Sequence, residues 1–581
     1  MVRGPGMTLA HVLNDKAERH PEREALAFIP DINEGKIADR LTFGQLAERS
    51  RRLAARLATA GFEPGARALL LFPSGLDFAV AFFACSYARL IAVPAPLPER
   101  SPTSIQRLAG MVADAEPALI LTVEESRETV REWAAGNGYR ALPCITVADT
   151  ADPSPDDVPL ELPTPDDLAL LQYTSGSTSD PKGVMVSQGN LLSNLDLIDS
   201  FVGRKPAMRV CGWLPHIHDM GLIGQLLYPV YVGGWLLQLP PLEFLKRPSR
   251  WLELIARHRI QCAAAPNFAY DLCARVTSED QAAELDLSHW EIALNGAEPI
   301  NDRTLERFAT RFAPAGFRME SFLPCYGLAE ATLIVTGRPA GQPVGKATVD
   351  PEQLAHGRLA PMTGAGGKIL ISSGTILHDN VLIVDPGSRM PLADGRVGEI
   401  WVTGASVSRG YWRKDEVNEE IFGATTTDGR GPYLRTGDLG VRDGAELYVT
   451  GRIKDLIISN GRNLHPHDLE CALQEMAGDL PFGSSAVFAI EDHQVVAVQE
   501  IRGRQHDDLA QAAARLGLGL AQQFGIGRTS VVFVRPGAVR KTTSGKTRRS
   551  AMRQLFLESG LDPIYVSLAP GMSERLGKTP S

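Results

Sequence analysis

Cysteine is sparse and unpatterned. The seven residues Cys85, Cys144, Cys211, Cys262, Cys273, Cys325 and Cys471 never form a C-x-x-C arrangement. That excludes a disulfide frame or a thiolate zinc site and predicts reduced thiols in a cytoplasmic protein. Basic runs are missing as well. With a net charge of -9 and no cluster of Lys or Arg, a nucleic-acid backbone is excluded as the main partner. The opening residues contain no apolar core long enough for a signal peptide. One segment, Met220 to Leu242, carries no charge and is long enough to span a bilayer. Pro229, Gly233, Gly234, Pro240 and Pro241 interrupt it, so a buried helix followed by a strand is expected, and no membrane span. Internal repeats and low-complexity linkers are absent.

What is present is an ordinary globular composition, 44% apolar and 22% charged, over 581 residues. That length exceeds one core and suggests roughly three to five domain-sized units. Apolar runs such as Ala66 to Phe72 and Leu168 to Tyr173 read as strands, and they alternate with helical patterns. In Leu41 to Gly61, Leu46, Leu53 and Leu57 recur at helical spacing. The alternation predicts α/β architecture with largely parallel sheets. After Ile369 short β-like runs separated by turns predict a small barrel or antiparallel sheet. From about Asp455 a final α+β unit follows, with a helix in HDLECALQEMAG and strands in SSAVFAI, VVAVQEI and SVVFVRPG.

The stretch LQYTSGSTSDPKG, Leu171 to Gly183, is built to cradle phosphate: hydroxyl donors, with glycines that leave backbone N–H groups accessible. It is not a Walker loop. Its lysine, Lys182, follows Pro181 and precedes Gly183, and the next residues read as a second strand, with a helix only near Asn190. The loop therefore joins two strands.

Four more motifs follow in order: CYGLAEAT (Cys325 to Thr332), YLRTGDLG (Tyr433 to Gly440), GRIKDLIISNGRNLHP (Gly451 to Pro466) and TTSGKTRR (Thr542 to Arg549). Together the five resemble the adenylate-forming superfamily of acyl-CoA synthetases, luciferases and nonribosomal adenylation domains. The resemblance implies an α/β fold: a large N-terminal domain of two α/β sheet subdomains and a small β-barrel over 1–453, and a mobile α+β C-terminal domain over 454–581. It implies ATP as substrate and Mg2+ as metal. Thr174, Ser175, Gly176, Ser177 and Thr178 would hold the terminal phosphates; Lys182 adds a point charge or stays a solvated loop lysine. Glu330, with Thr174, matches the magnesium site. Tyr326 would pack on adenine beside Gly327 and Leu328, with Gly296, Ala297 and Glu298 lining the other face. Asp438 would accept both ribose hydroxyls, because a carboxylate has several lone-pair sites. Arg452 would touch the nucleotide. Lys546 would bridge the substrate carboxylate and the α-phosphate, where charge gathers. Lys454 would be the pivot about which the C-terminal domain turns between half-reactions.

Finer stretches, WLPHIHDMGLIG, AAAPNFAYDLC, LNGAEP and GRNLHPHDLE, resemble the fatty acyl-AMP ligase branch. That branch passes the acyl group to an acyl carrier protein, here expected as a separate chain. His218 matches a position beside the substrate carboxylate; a satisfied core histidine is the plain alternative. Asp219 is expected to fix local backbone. Trp213, Phe268 and Tyr270 are candidates for the acyl wall, or for ordinary core. Val335 to Ser373 matches the branch's inserted segment, thought to restrain the domain rotation that coenzyme A use requires, or else is a long loop. Arg89 and Ile217 depart from the family pattern, which favours glycine and an aromatic residue there. Two other functions stay open: a long-chain acyl-CoA synthetase, and a non-catalytic adenylate-binding module.

Overall fold

The computed structural model describes residues 6–572 apart from 100, 149–157, 174–180, 204, 206, 460–461, 479, 491–493, 504–507, 543–544 and 571, with 102 and 103 described in backbone only. Two α/β sheets form its larger part. A six-stranded sheet runs Cys144–Thr146, Leu119–Thr122, Arg67–Leu71, Ile91–Ala95, Leu168–Tyr173, Gly183–Ser187, parallel except for the last, antiparallel pair. An eight-stranded sheet is parallel through its centre, from Phe322–Gly327 to Glu24–Phe28, and antiparallel at both edges. Helix Asp77–Tyr87 is buried at every position after Asp77, as a helix apolar all round must be. One large core cluster draws on both sheets.

Local signals explain the boundaries. Thr42 and Gln45 make a reciprocal capping box that starts helix Phe43–Thr59. Ser187 and Asn190 do the same for Gln188–Val202, so this helix starts two residues before the expected Asn190. Met220–Leu242, the charge-free run, is a π-helix over Met220–Leu227, a short helix Tyr228–Val232 and strand Trp235–Gln238. No helix among the described residues is long and apolar enough to cross a membrane.

The β-rich stretch after Ile369 forms a four-stranded antiparallel sheet, from Val381–Val384 to Glu446–Arg452. Thr375 bridges it to Gly337 and to Glu446, curling it onto the eight-stranded sheet. The C-terminal unit is a four-stranded mixed sheet with helices Pro466–Glu475, Leu509–Phe524 and Arg549–Leu557. Helix Leu509–Phe524 and strand Pro563–Ser567 had no counterpart in the sequence reading. Two core clusters use only residues from Ile457 onward, and the others only earlier residues.

Residues 335–373 are not a plain loop. Lys346–Val349 and Lys368–Ile371 pair antiparallel, with helix Pro351–Ala355 between them. Lys346 is ion-paired to Asp302 and Glu306 on helix Asp302–Phe312, and Lys368 Nζ lies 2.6 Å from Asp468 Oδ2 on the C-terminal unit. Arg89 sits at φ +55, in the left-handed region where glycine is at ease, and is held by Asp167 and Glu161.

Candidate active site

Where the two α/β sheets, the antiparallel sheet and the C-terminal unit meet, they enclose a cavity of about 900 Å³. The phosphate stretch borders it as a hairpin, with Tyr173 opposite Gly183 in register. Thr174, Ser175, Gly176, Ser177 and Thr178 lie outside the described residues; the flanking Tyr173, Pro181 and Lys182 are on the wall. Gln172 leaves the same strand and donates from Nε2 to the carbonyl of Ile217 at 2.8 Å, tying the hairpin to the loop that carries His218.

At the antiparallel sheet, strand register does the positioning. Leu434–Asp443 and Glu446–Arg452 pair so that Asp438 stands opposite Arg452. Arg452 Nε donates to Asp438 Oδ1 at 2.9 Å, and Tyr326 Oη donates to Asp438 Oδ2 at 2.8 Å. Each carboxylate oxygen keeps a lone pair, enough for two ribose hydroxyls. Burial and the Asp438 charge hold the Tyr326 phenol well above its ordinary range. Tyr326, Gly327, Leu328 and Ala297 share the wall, and Ala297 reaches it at φ +68. Gly296 and Glu298 do not line the cavity. A Cβ on Gly296 would meet Cys325 Sγ at 2.7 Å, so this glycine lets two strands approach. Glu298 accepts from the Phe268 amide at 2.5 Å and fixes the start of helix Asn267–Val276.

Glu330 sits in a single 3-10 turn, Ala329–Ala331, not on a longer helix. Tyr411 Oη donates to its Oε1 at 2.7 Å, and Lys182 Nζ lies 5.0 Å over the Tyr411 ring. One tyrosine thus links both charged groups expected at the triphosphate. Sequence reasoning did not single out Tyr411; its signal was the GYW of Gly410 to Trp412, which follows strand Val397–Val402. Among the described residues no group of three or more His, Cys, Asp or Glu could cage a metal. A lone hard carboxylate fits Mg2+, which takes one or two carboxylates and completes its shell with phosphate oxygens and water.

His218 and Lys546 share the cavity wall, near enough for the lysine charge to bear on the imidazole. Burial, then the charges of Arg107 and Lys546, push the His218 imidazole down to about 3, so it is neutral at pH 7. Asp219 accepts from the Met220 amide at 2.7 Å and caps the π-helix, the backbone role expected of it. Lys546 belongs to a tight loop: the Thr542 amide donates to the Lys546 carbonyl and the Lys546 amide donates to Thr542 Oγ1. Burial, then the Arg452 charge, lower its ammonium below the usual range. The adjacent Arg549 is bound to Glu470 and to Asp455, the residue after Lys454, so the lysine loop is tied to the turn Ile453–Asp455. Lys454 itself is exposed, in the short turn Ile453–Asp455, and borders the cavity.

The acyl-wall expectation is corrected. Tyr270 is fully buried among Trp251, Trp290, Phe308 and Phe322, its hydroxyl donating to the Leu294 carbonyl. Trp213 stacks on Phe244 at 3.9 Å in the same core. Phe268 packs against the lysine loop instead. The apolar end of the cavity is walled by Ile198, Val202, Val210, Tyr228, Leu294 and Leu333. Cys325, whose thiol burial pushes up to about 12, is no nucleophile.

A family model described as AMP-binding enzyme matches residues 13–412. The medium-chain-fatty-acid acyl-carrier-protein ligase JamA of Moorena producens is 36% identical over 96% of this chain and 96% of its own length. The long-chain-fatty-acid AMP ligase FadD26 of Mycobacterium marinum is 35% identical over 97% of this chain and 99% of its own. Among solved structures, a fatty acyl-adenylate ligase from L. pneumophila, in complex with acyl adenylate and pyrophosphate, superposes with a TM-score of 0.74. It is 34% identical, covering 96% of this chain and 97% of its own.

Proposed function

This chain belongs to the AMP-binding enzyme family, in its fatty acyl-AMP ligase branch, and on that premise we propose how its cavity works. It activates a fatty acid with ATP and transfers the acyl group to the phosphopantetheine thiol of an acyl carrier protein. The observation that carries this is the position of Lys546: a residue of the C-terminal unit shares one cavity with Asp438, Glu330 and His218.

In the first step a carboxylate oxygen attacks the α-phosphorus. The bridging α–β P–O bond breaks, and its electron pair leaves with pyrophosphate. Two anions must be brought together, so fixed cations and donors carry the catalysis. Lys546 offsets charge on the acid and the α-phosphate. Neutral His218 orients the acid as a hydrogen-bond partner; at about 3 it does not serve as a base at pH 7. Asp438 and Arg452 hold the ribose side, and Tyr326 and Ala297 flank the base. Glu330 would hold Mg2+, with the phosphate-loop residues Thr174 to Thr178 and Lys182 on the triphosphate. When bound, the metal supplies positive charge to the phosphate oxygens. The acyl chain enters the pocket of Ile198, Val202 and Tyr228.

In the second step the carrier thiol loses its proton to solvent and its sulfur bonds to the acyl carbon; the acyl carbon–oxygen bond of the mixed anhydride breaks, and its electron pair leaves on the phosphate oxygen of AMP. We place the domain boundary at 453/454, with Lys454 as pivot; the division of core clusters supports it. The free cysteines support a cytoplasmic setting.

The test incubates the protein with ATP, Mg2+ and a series of fatty acids, trapping adenylate with hydroxylamine, then offers coenzyme A or a holo carrier protein. Adenylate with preferential carrier loading is expected. Efficient acyl-CoA formation would instead make it an acyl-CoA synthetase.

A further inference from the structure

Two arginines of the cavity wall stand apart from the ion-pair network of the described residues. Arg107 lies on helix Pro102–Ala115 of the N-terminal part, and Arg548 follows the lysine loop in the C-terminal unit; both are on the cavity wall. Among the described residues neither guanidinium makes an ion pair or hydrogen bond, and Arg548 Nε is buried without an acceptor. The acidic residues near them are already engaged. Asp114, two turns along the same helix from Arg107, accepts from Tyr173 and faces Lys414; Glu116 is paired to Arg413. Glu470 and Asp455 are bound by Arg549, so of two consecutive arginines one is saturated and the other is not.

Their surroundings are cationic. The Arg107 guanidinium is pushed down by burial and then by the charge of Arg548, and the charges of Arg107 and Lys546 both bear on His218. Helix Pro102–Ala115 also runs against the phosphate hairpin: one turn beyond Arg107, a Cβ on Gly110 would lie 3.6 Å from Pro181 Cγ. Two half-buried like charges, brought together across a domain boundary and left unpaired, cost free energy unless an anion sits between them. Planar guanidinium forks suit the oxygens of a phosphate chain.

We propose that Arg107 and Arg548 form a cross-domain site for the pyrophosphate moiety, as the terminal phosphates of ATP and then as the leaving group. The inference rests on the function proposed above. It gives the anion a second role. While bound, it bridges the two parts of the chain and holds the lysine loop in the cavity. After it departs, the arginines repel each other, and rotation of the C-terminal unit becomes easier.

The test measures binding of magnesium pyrophosphate, and separately of AMP, to the full chain by calorimetry in wild type, Arg107→Gln, Arg548→Gln and the double variant. Each single variant is expected to bind pyrophosphate about tenfold or more weakly, the loss of a charge-assisted contact, with AMP affinity unchanged. The double variant should lose less than the product of the two, because one anion couples them. Arg107→Lys and Arg548→Lys, which keep the charge, should recover part of the affinity. Pyrophosphate binding within twofold of wild type in both glutamine variants overturns the proposal, as does an equal loss of AMP binding or no binding by the wild type. Pyrophosphate binding that depends on both arginines, in a protein that adenylates no fatty acid, upholds this site and overturns the function.

Discussion

Gly545 lies against the ring of Phe268: a Cβ added to it would stand 2.7 Å from Phe268 Cε1. The glycine also holds φ +88, and Lys541 Nζ sits 6.0 Å over the same ring. This contact sets how closely the lysine loop of the C-terminal unit approaches the N-terminal part. The ring does not line the cavity; it seats the loop that carries Lys546.

Gly545→Ala should therefore slow adenylate formation by about tenfold or more, since backbone strain alone costs roughly 1–3 kcal/mol. AMP affinity should stay near wild type. A variant with unchanged hydroxamate formation would show that the loop seats elsewhere.

Tyr326→Phe removes the hydroxyl that donates to Asp438 and leaves the ring. The KM for ATP should rise about tenfold or more, on the scale of a lost hydrogen bond to a charged group, roughly 1.5–3 kcal/mol. Asp438→Asn should raise it further. If neither changes the KM for ATP while fatty-acid kinetics shift, Asp438 is not on the ribose.

The Lys368–Asp468 pair joins the inserted segment to the C-terminal unit at 2.6 Å. Breaking it with Lys368→Ala is expected to leave adenylate formation within about twofold, since a partly exposed pair contributes at most ~1 kcal/mol. The same variant should raise the yield of acyl-CoA relative to adenylate. An unchanged ratio would remove this pair from any part in acceptor choice.

Ile198 and Val202 stand at the apolar end of the cavity. Ile198→Phe should shift the preferred acid to shorter chains in a pyrophosphate-exchange series, while the shortest acids keep their rate. An unshifted profile would place the acyl chain along another wall.

Burial holds five imidazoles below the ordinary 6.5, His258 and His467 among them, and three lie far below it: His216 and His465 at about 4 and His218 at about 3. Between those values and 6.5 the unfolded chain binds protons the folded one does not. The stability these residues contribute is full above pH 6.5 and is lost as pH falls toward 4. The carboxyls of Asp219 and Glu298, pushed up by burial, oppose this at the acid end. Tm should drop from pH 7 to pH 5, and less steeply in His216→Phe, whose ring can keep the stacking on Phe78 seen at 4.1 Å. A flat Tm over that range would contradict the burial argument.

The chain's own sequence determined the class of reaction, because five short motifs each place their chemistry within a few neighbouring residues. The hairpin that carries the phosphate loop, the capped helices and the punctuated run Met220–Leu242 were legible for the same reason: turns, caps and breakers act locally. Tertiary structure alone decided which apolar side chains line the cavity. Tyr270 and Ile198 are both apolar residues on helices, and periodicity cannot tell a core face from a cavity wall. Only folding showed that residues 335–373 reach Asp468, that Tyr411 stands between Lys182 and Glu330, and that Gly296 serves strand packing. It also brought Arg107 and Arg548, 441 positions apart in the chain, into one cavity where neither is paired to an acidic side chain among the described residues. Such relations depend on distances between segments remote in sequence, and these exist only once the sheets and the C-terminal unit have packed.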